Sequence, residues 1–172
     1  PVAVLVDEAH NLVERGRSMY SAALSSSELV AVRAIAPPAV KRAIGKVLSA
    51  WRALADSRTE DFQIQAEPPA ALLELLRRLA TKIGEHFTEH PAQPAPELQR
   101  VYFDVLNLLG LAEDFGAHAL CVLERSVASP LRSGSARDAR ARDRSTLSIR
   151  NVVPGRYLKA RTETAVSVVA FS

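Results

Sequence analysis

The chain has 172 residues, of which 48% are hydrophobic and 24% are charged. This length and composition favour a folded domain with its own core and exclude an intrinsically disordered chain. No apolar run approaches the ~20 residues of a membrane helix, and the single cysteine, Cys121, excludes a disulfide framework or a multi-cysteine metal site within the chain. We therefore expect a cytoplasmic protein with no membrane partner.

The net charge of +3 is unevenly distributed along the chain. Residues 129–172 contain nine basic and three acidic residues, a net charge of +6, whereas residues 1–128 have a net charge of −3. This concentration of positive charge in the last quarter is typical of a phosphate-binding surface. A solvated basic loop explains the same charge equally simply, so both interpretations stay open.

The chain begins with an apolar, β-branched run at Val2–Val6, which predicts a short strand buried on both faces of a parallel sheet. The run ends abruptly in Asp7-Glu8-Ala9-His10. Ligands bind at the carboxyl ends of the strands in parallel α/β sheets. Adjacent carboxylates at that edge suit nucleotide hydrolysis, in which Asp7 holds Mg²⁺ through water and Glu8 polarises the attacking water.

Amphipathic helical patterns fill most of the middle of the chain. Ser27 is predicted as the N-cap of a helix that ends before Pro37. Further helices are predicted from Pro38, after Pro69, and from Glu97 to about Arg125. Their core-facing stripes are Val40, Ile44, Val47, Trp51 and Leu54; Leu72, Leu76, Leu79, Ile83 and Phe87; and Leu98, Val101, Val105, Leu108, Ala112, Phe115, Ala119 and Val122. These segments predict a mainly α fold with a helical bundle at its centre.

Shorter segments lack the helical period. Alternation of Phe62 and Ile64 with glutamines predicts a short strand or an extended loop. Residues 126–145 are rich in Ser, Gly, Arg and Asp and are predicted to form a mobile loop, followed by an extended segment at Thr146–Val153. The last apolar run, Ala165–Phe171, mirrors the first strand in length and composition.

Both ends of the chain resemble helicase motifs. DEAH after an apolar strand resembles the Walker B box, motif II, of superfamily 2 helicases, and the continuation DEAHNLVERGRSMYSAAL resembles the XPD/DinG-type DNA helicases. The end of the chain, LSIRNVVPGRYLKARTETAVSVVAFS, resembles the approach to motif III, whose S-A-T core would begin at Ser172. The resemblance implies one segment of a 5′→3′ DNA helicase, from just before motif II to the start of motif III.

The resemblance also implies a division into three parts. Residues 1–10 would form the motif II strand and the DEAH box of a RecA-like motor domain. Residues 11–160 would form a helical, Arch-like insertion that clamps or gates single-stranded DNA. Residues 161–172 would return to the motor as the motif III strand. The two terminal strands are then expected to pair in parallel, with outer edges that favour self-association of the isolated chain.

The resemblance gives roles to particular residues. It implies ATP and Mg²⁺ as cofactors at Asp7 and Glu8, a catalytic part for Glu8 and His10, and coupling to motif III through Ser172. An iron–sulfur cluster would find no ligands in this chain. The implied partners are the rest of the motor and single-stranded DNA or DNA junctions, contacted by the basic and polar residues Arg150, Asn151, Arg156, Lys159 and Arg161.

Two alternatives belong to other functional classes. The sequence His86-Phe87-Thr88-Glu89-His90 fits the H-x-x-E-H pattern of a zinc peptidase, with two histidine ligands and Glu89 as base. His118 and Cys121, spaced i and i+3, could join a metal site, although Cys121 also suits a small core position on the long helix. The second alternative is a non-catalytic helical module that binds other proteins.

Overall fold

The computed structural model describes residues 2–57, 60–91, 95–126 and 144–172. Most of the predicted loop at residues 126–145 lies outside the described residues. In chain order, the elements are β1 (Ala3–Val6), a 3₁₀ turn (Ala9–Asn11), α1 (Leu12–Met19), β2 (Ala22–Ser25), α2 (Ser26–Ile35), α3 (Pro38–Asp56), β3 (Phe62–Gln65), α4 (Ala70–Glu89), α5 (Pro96–Glu113), β4 (Ala119–Ser126), β5 (Arg144–Asn151), α6 (Gly155–Thr162) and β6 (Ser167–Ala170).

The first and last strands pair with each other in parallel, as predicted. Ala3 lies opposite Ser167 and Val6 lies opposite Ala170. The prediction that β1 is buried on both faces is wrong for this chain, because among the described strands only β6 pairs with it and Leu5 is 72% exposed. The outer edges and much of the apolar surface of this pair are therefore open to solvent.

A second sheet, absent from the sequence prediction, forms part of the body of the protein. Its four antiparallel strands lie in the order β2-β5-β4-β3. Helices α2 and α5 pack against this sheet, and α3 and α4 pack against them and against each other. The fold is thus a mixture of helices and strands in which helices predominate. The predicted helical bundle is a helical layer on an antiparallel sheet, and two strands of that sheet, β3 and β5, coincide with segments predicted to be extended.

The helices begin and end where local chemistry requires. Ser25, not Ser27, is the N-cap of α2, because its hydroxyl accepts the Ser27 N–H while the Glu28 carboxylate accepts the Ser25 N–H. Helix α2 ends at Ile35, ahead of Pro37, which cannot continue the ladder of hydrogen bonds. Prolines also occupy the first turn of α3 and of α5, where a missing N–H costs nothing.

The core forms where the helical stripes meet the inner face of the sheet. The stripes predicted for α3 and α4 are confirmed, since their members are buried apart from the half-buried Leu54 and Phe87. Trp51, on α3, is 1% exposed, and its indole N–H donates to the Ser145 hydroxyl of β5 over 2.7 Å. Residues of the sheet complete the core through alternate positions: Leu24, Cys121, Leu123, Leu147 and Ile149.

The prediction of one helix from Glu97 to Arg125 is wrong beyond Glu113. Helix α5 ends there, and Ala119–Ser126 forms strand β4. Ala119 and Val122 fit a helical stripe, but Cys121 and Leu123 also alternate inward on a strand, with Ile149 and Leu147 opposite them. Pairing on both sides, with β3 and β5, favours the strand over the helical pattern. Cys121 is therefore a core residue of a strand.

Within the described part of the chain, no helix combines the length and apolar character that crossing a membrane would require.

Candidate functional site

The DEAH segment forms a turn at the carboxyl end of β1, beside the end of the chain. The Phe171 N–H donates to the Val6 carbonyl over 3.0 Å, and the Ala9 N–H donates back to the Phe171 carbonyl over 2.9 Å. Ser172 directly follows the residue that makes both bonds. The structure thus brings together the two ends of the chain that carry the residues predicted to act on a nucleotide.

Glu8 has a strained backbone conformation at this turn. Its φ of 54° and ψ of 42° place it in the left-handed region, and no other described non-glycine residue has a positive φ. Such a conformation is uncommon for a glutamate and costs on the order of 1–3 kcal/mol. The Asp7 carboxylate compensates part of this cost by accepting the Glu8 N–H over 2.8 Å. Strain of this kind concentrates at functional sites.

The side chains of the turn are available to a ligand. The Glu8 carboxylate lies 3.3 Å from Nδ1 of His10, and both side chains are more than half exposed. Asp7 and Glu8 provide two adjacent carboxylates, the donor set that Mg²⁺ uses when phosphate oxygens and water complete its shell. The chemistry of these two side chains is therefore compatible with a hydrated magnesium ion.

The residues predicted to contact DNA are partly engaged with neighbouring groups. Arg150, on β5, donates to Glu124 over 2.5 Å, and Lys159 lies 3.4 Å from Glu163. Asn151 is only 4% exposed, so its side chain is not available at the surface. Its backbone N–H donates to the Ser21 hydroxyl, while neither polar atom of its side chain has a hydrogen-bond partner among the described residues.

A polar cluster joins α6 to the end of α5, and sequence reasoning did not foresee it. Asp114 accepts hydrogen bonds from Arg156 over 2.7 Å and from the Tyr157 hydroxyl over 2.5 Å. His118 Nε2 lies 3.0 Å from the Tyr157 oxygen, and the Arg156 guanidinium reaches His118 Nδ1 at 3.5 Å. A neutral histidine with its proton on Nε2 satisfies both contacts. The Tyr20 ring stacks on Tyr157 with centroids 3.9 Å apart.

The cluster changes the acidity of its members. The Tyr157 hydroxyl, more than the nearby Arg156, holds the pKa of Asp114 below its usual range. Burial and the hydrogen bond to Asp114 raise the pKa of Tyr157 to about 12. His118 is bound to this tyrosine, while Cys121 is buried in the core. We interpret the cluster as a structural contact that holds α6 against the end of α5. Arg156, although exposed, takes part in this contact.

Comparisons with known proteins give no family assignment, since neither the family models nor the curated proteins that were searched include a match to this chain.

The zinc-peptidase pattern falls at the end of α4. The helix ends at Glu89, and the His90 N–H closes its last turn by donating to the His86 carbonyl. The rings of His86 and His90 stand 4.7 Å apart between centroids. In the described ranges, no cluster of three or more His, Cys, Asp or Glu side chains is arranged to hold a metal ion. The structure offers these two histidines no third ligand among those residues.

Proposed function

We propose that this chain is part of an ATP-dependent DNA helicase of the XPD/DinG type. In this proposal, β1, the DEAH turn and β6 belong to a RecA-like motor domain. The body between them is an Arch-like domain that clamps or gates single-stranded DNA. The observation that supports it most is the turn itself: a parallel strand pair brings Ser172 beside a DEAH box whose glutamate has a strained backbone.

The chemistry of the turn follows from its carboxylates. Asp7 would hold Mg²⁺ through the water shell of the ion, and the ion would supply positive charge to the phosphate groups of ATP. Glu8 accepts a proton from the water that attacks the γ-phosphorus, and the bond to the ADP oxygen breaks as the new P–O bond forms. His10 lies 3.3 Å from the Glu8 carboxylate and can orient it. The family resemblance gives His10 the further role of linking the nucleotide site to neighbouring motifs.

In this proposal, DNA binds to exposed cations on β5 and α6. Arg150, Arg156 and Lys159 each lie beside a carboxylate, so a phosphate would have to compete with that partner. Such contacts are weak and strongly salt-dependent, and they are independent of base sequence. The side chain of Arg161 lies outside the described residues and keeps the role predicted for it, whereas the buried side chain of Asn151 is left out of the proposed contact.

The decisive experiment changes Glu8 in the full-length protein. Glu8→Gln keeps the size of the side chain but removes the proton acceptor, so we expect ATP hydrolysis to fall by a factor of ~10²–10⁴ with nucleotide binding retained. Glu14→Gln, an exposed change on α1, is the matched control and should keep full activity. Equal hydrolysis by both variants would overturn the assignment.

The 172-residue chain provides a second test. It contains no G-x-x-x-x-G-K-[ST] sequence to cradle the β- and γ-phosphates, so it should not hydrolyse ATP by itself. Magnesium-dependent turnover by this chain, abolished by Glu8→Gln, would mean that the turn belongs to a different type of site.

A further inference from the structure

A basic groove runs between α3 and α4, on the side of the body formed by these two helices. It has a volume of about 440 Å³ and is lined by Arg42 and Lys46 from α3 and by Arg78 and Lys82 from α4. Small or apolar side chains, including Ala43, lie between these cations. We call this surface the α3–α4 groove.

The charges along α3 are unusual for a structural helix. It contains Lys41, Arg42, Lys46 and Arg52, and its only carboxylate is its last residue, Asp56. Lys41, Arg42 and Lys46 lie in the first half of the helix, at least ten positions before its one carboxylate. This half of α3 therefore carries positive charge with no carboxylate of its own helix beside it, and such charge attracts an anion.

Some cations of the groove already form ion pairs with carboxylates among the described residues, and others do not. Arg78 pairs with Glu74 at 3.0 Å and Lys82 pairs with Glu85 at 2.6 Å, so the α4 side is partly compensated. Within the described part of the chain, Arg42 and Lys46 form no ion pair, and both are exposed. The α3 side consequently provides positive charge that a ligand can neutralise without displacing a carboxylate.

The shape and spacing of the groove indicate a polymer with repeated negative charge. On each helix the two cations are four residues apart, which corresponds to about 6 Å along the axis. Packed helices have axes ~8–10 Å apart, so a groove between them is narrow and suits a single strand better than a duplex. The backbone groups of both walls are bonded within the helices, so recognition depends on side-chain charge and does not read a sequence.

Aromatic side chains lie just beyond α4. Thr81 borders both the α3–α4 groove and a neighbouring groove of about 380 Å³ between α4 and α5. Tyr102 lines that second groove, and the adjacent Phe103 is 57% exposed. Bases of a bound strand stack on such rings, and this favours a nucleic acid over an acidic peptide.

We propose that the α3–α4 groove binds the phosphate backbone of single-stranded nucleic acid. The inference deepens the proposed function and rests on it for the identity of the polymer, but the groove is separate from the ATP turn and from Arg150, Arg156 and Lys159. It places the main DNA contact of the body on its helical layer.

The test measures binding of the 172-residue chain to a fluorescent oligothymidylate by anisotropy over a range of salt concentrations. For single strands, log K falls as log salt rises, and each lost phosphate contact reduces the absolute value of this negative slope by about 0.7. The double variant Arg42→Gln/Lys46→Gln should therefore make the slope less negative by about 1.4 and weaken binding. Arg42→Lys/Lys46→Arg should retain the slope, because it keeps both charges.

The matched control is Arg100→Gln, which removes an exposed cation from α5 that pairs with Glu28. It should leave the slope unchanged, and circular dichroism should give the same folded spectrum for all variants. If the groove variant binds like the wild type while joint replacement of Arg150, Arg156 and Lys159 abolishes binding, the groove is refuted and the helicase proposal stands.

Other outcomes also refute the groove. Tighter binding of polyglutamate than of oligothymidylate would identify an acidic protein as the partner, and equal binding of duplex DNA would contradict the narrow groove. Absence of any binding by the wild-type chain overturns the inference, whereas the ATPase test with Glu8→Gln is unaffected by that result.

Discussion

The hydrogen bond between Trp51 and Ser145 links the helical layer to the antiparallel sheet and gives a direct test of the fold. Both residues are 1% exposed, and the Ser145 N–H continues the link by donating to the Ser26 hydroxyl over 3.0 Å. Ser145→Ala leaves the indole N–H buried without an acceptor. An unsatisfied buried donor costs about 1–3 kcal/mol, and for a chain of this length 2 kcal/mol corresponds to a fall in Tm of about 4–8 °C.

The partner variant, Trp51→Phe, removes the donor and leaves a small cavity, so we expect a cost of about 2–4 kcal/mol. The double variant should lose about 1 kcal/mol less free energy of unfolding than the two single variants lose together, because each single change already breaks the same hydrogen bond. Urea unfolding followed by circular dichroism gives all four free energies of unfolding. Trp51 is the only tryptophan, so fluorescence reports its environment directly in the wild type and in Ser145→Ala.

Ser49→Ala is the control, since Ser49 lies on the exposed side of α3 and its hydroxyl bonds only the Gly45 carbonyl. It should change the free energy of unfolding by no more than about 0.5 kcal/mol. A Ser145→Ala variant as stable as this control, or a coupling energy of zero, would refute the link between α3 and β5.

Three further predictions concern other parts of the chain. Gly16→Ala should destabilise the protein by about 1–3 kcal/mol in thermal unfolding, because the new Cβ would lie 2.9 Å from Cβ of Pro154. Gly110→Ala, whose Cβ would have no neighbour within 4 Å, should instead stabilise the protein by up to about 1 kcal/mol; a change of the same sign in the free energy of unfolding for both variants would contradict the close packing of α1 on α6. Tyr157 should ionise near pH 12 in an ultraviolet titration, and ionisation at the same pH as the other tyrosines would show that the cluster is open. Because the pKa of Tyr157 is raised from 10.0 in the folded state, its contribution to the free energy of unfolding should be complete below pH 10 and lost as the pH rises toward 12. Val168→Lys should reduce self-association in sedimentation velocity by placing a charge on β6, and an unchanged oligomer distribution would locate the contact elsewhere.

The sequence was informative where a pattern is local. The stripes of α3 and α4 repeat every three or four residues over several turns, so the period alone identified them. The second sheet was missed because its strands pair with segments that are distant in the sequence. Strand β2 has only four residues, and Ala22 lies opposite Ile149 of β5. Residues 119–123 fit both a helical and an alternating pattern, and only the pairing with β5 decides between them.

The same distinction applies to the candidate sites. Asp7, Glu8 and His10 are contiguous, so a motif could identify them, but the left-handed backbone of Glu8 is visible only in the folded turn. The bond between Asp114 and Tyr157 joins residues that are 43 positions apart. The α3–α4 groove depends on how two helices pack, and no spacing within either helix reveals that their cations line one surface.

The parallel pairing of β1 with β6 has a consequence for the order of folding. Ala3 and Ser167 are 164 positions apart, and closing a flexible loop of that length costs about 4.5 kcal/mol in chain entropy, before any constant term. The pair has only four residues in each strand, and in β1 two of them are exposed and two are half-buried, so its contacts are too few to offset that cost in an unfolded chain. The body must therefore form early, and its folding delivers both ends to the same place, where the strand pair joins last. The rate at which the body folds would therefore limit the assembly of the strand pair and of the DEAH turn that follows β1.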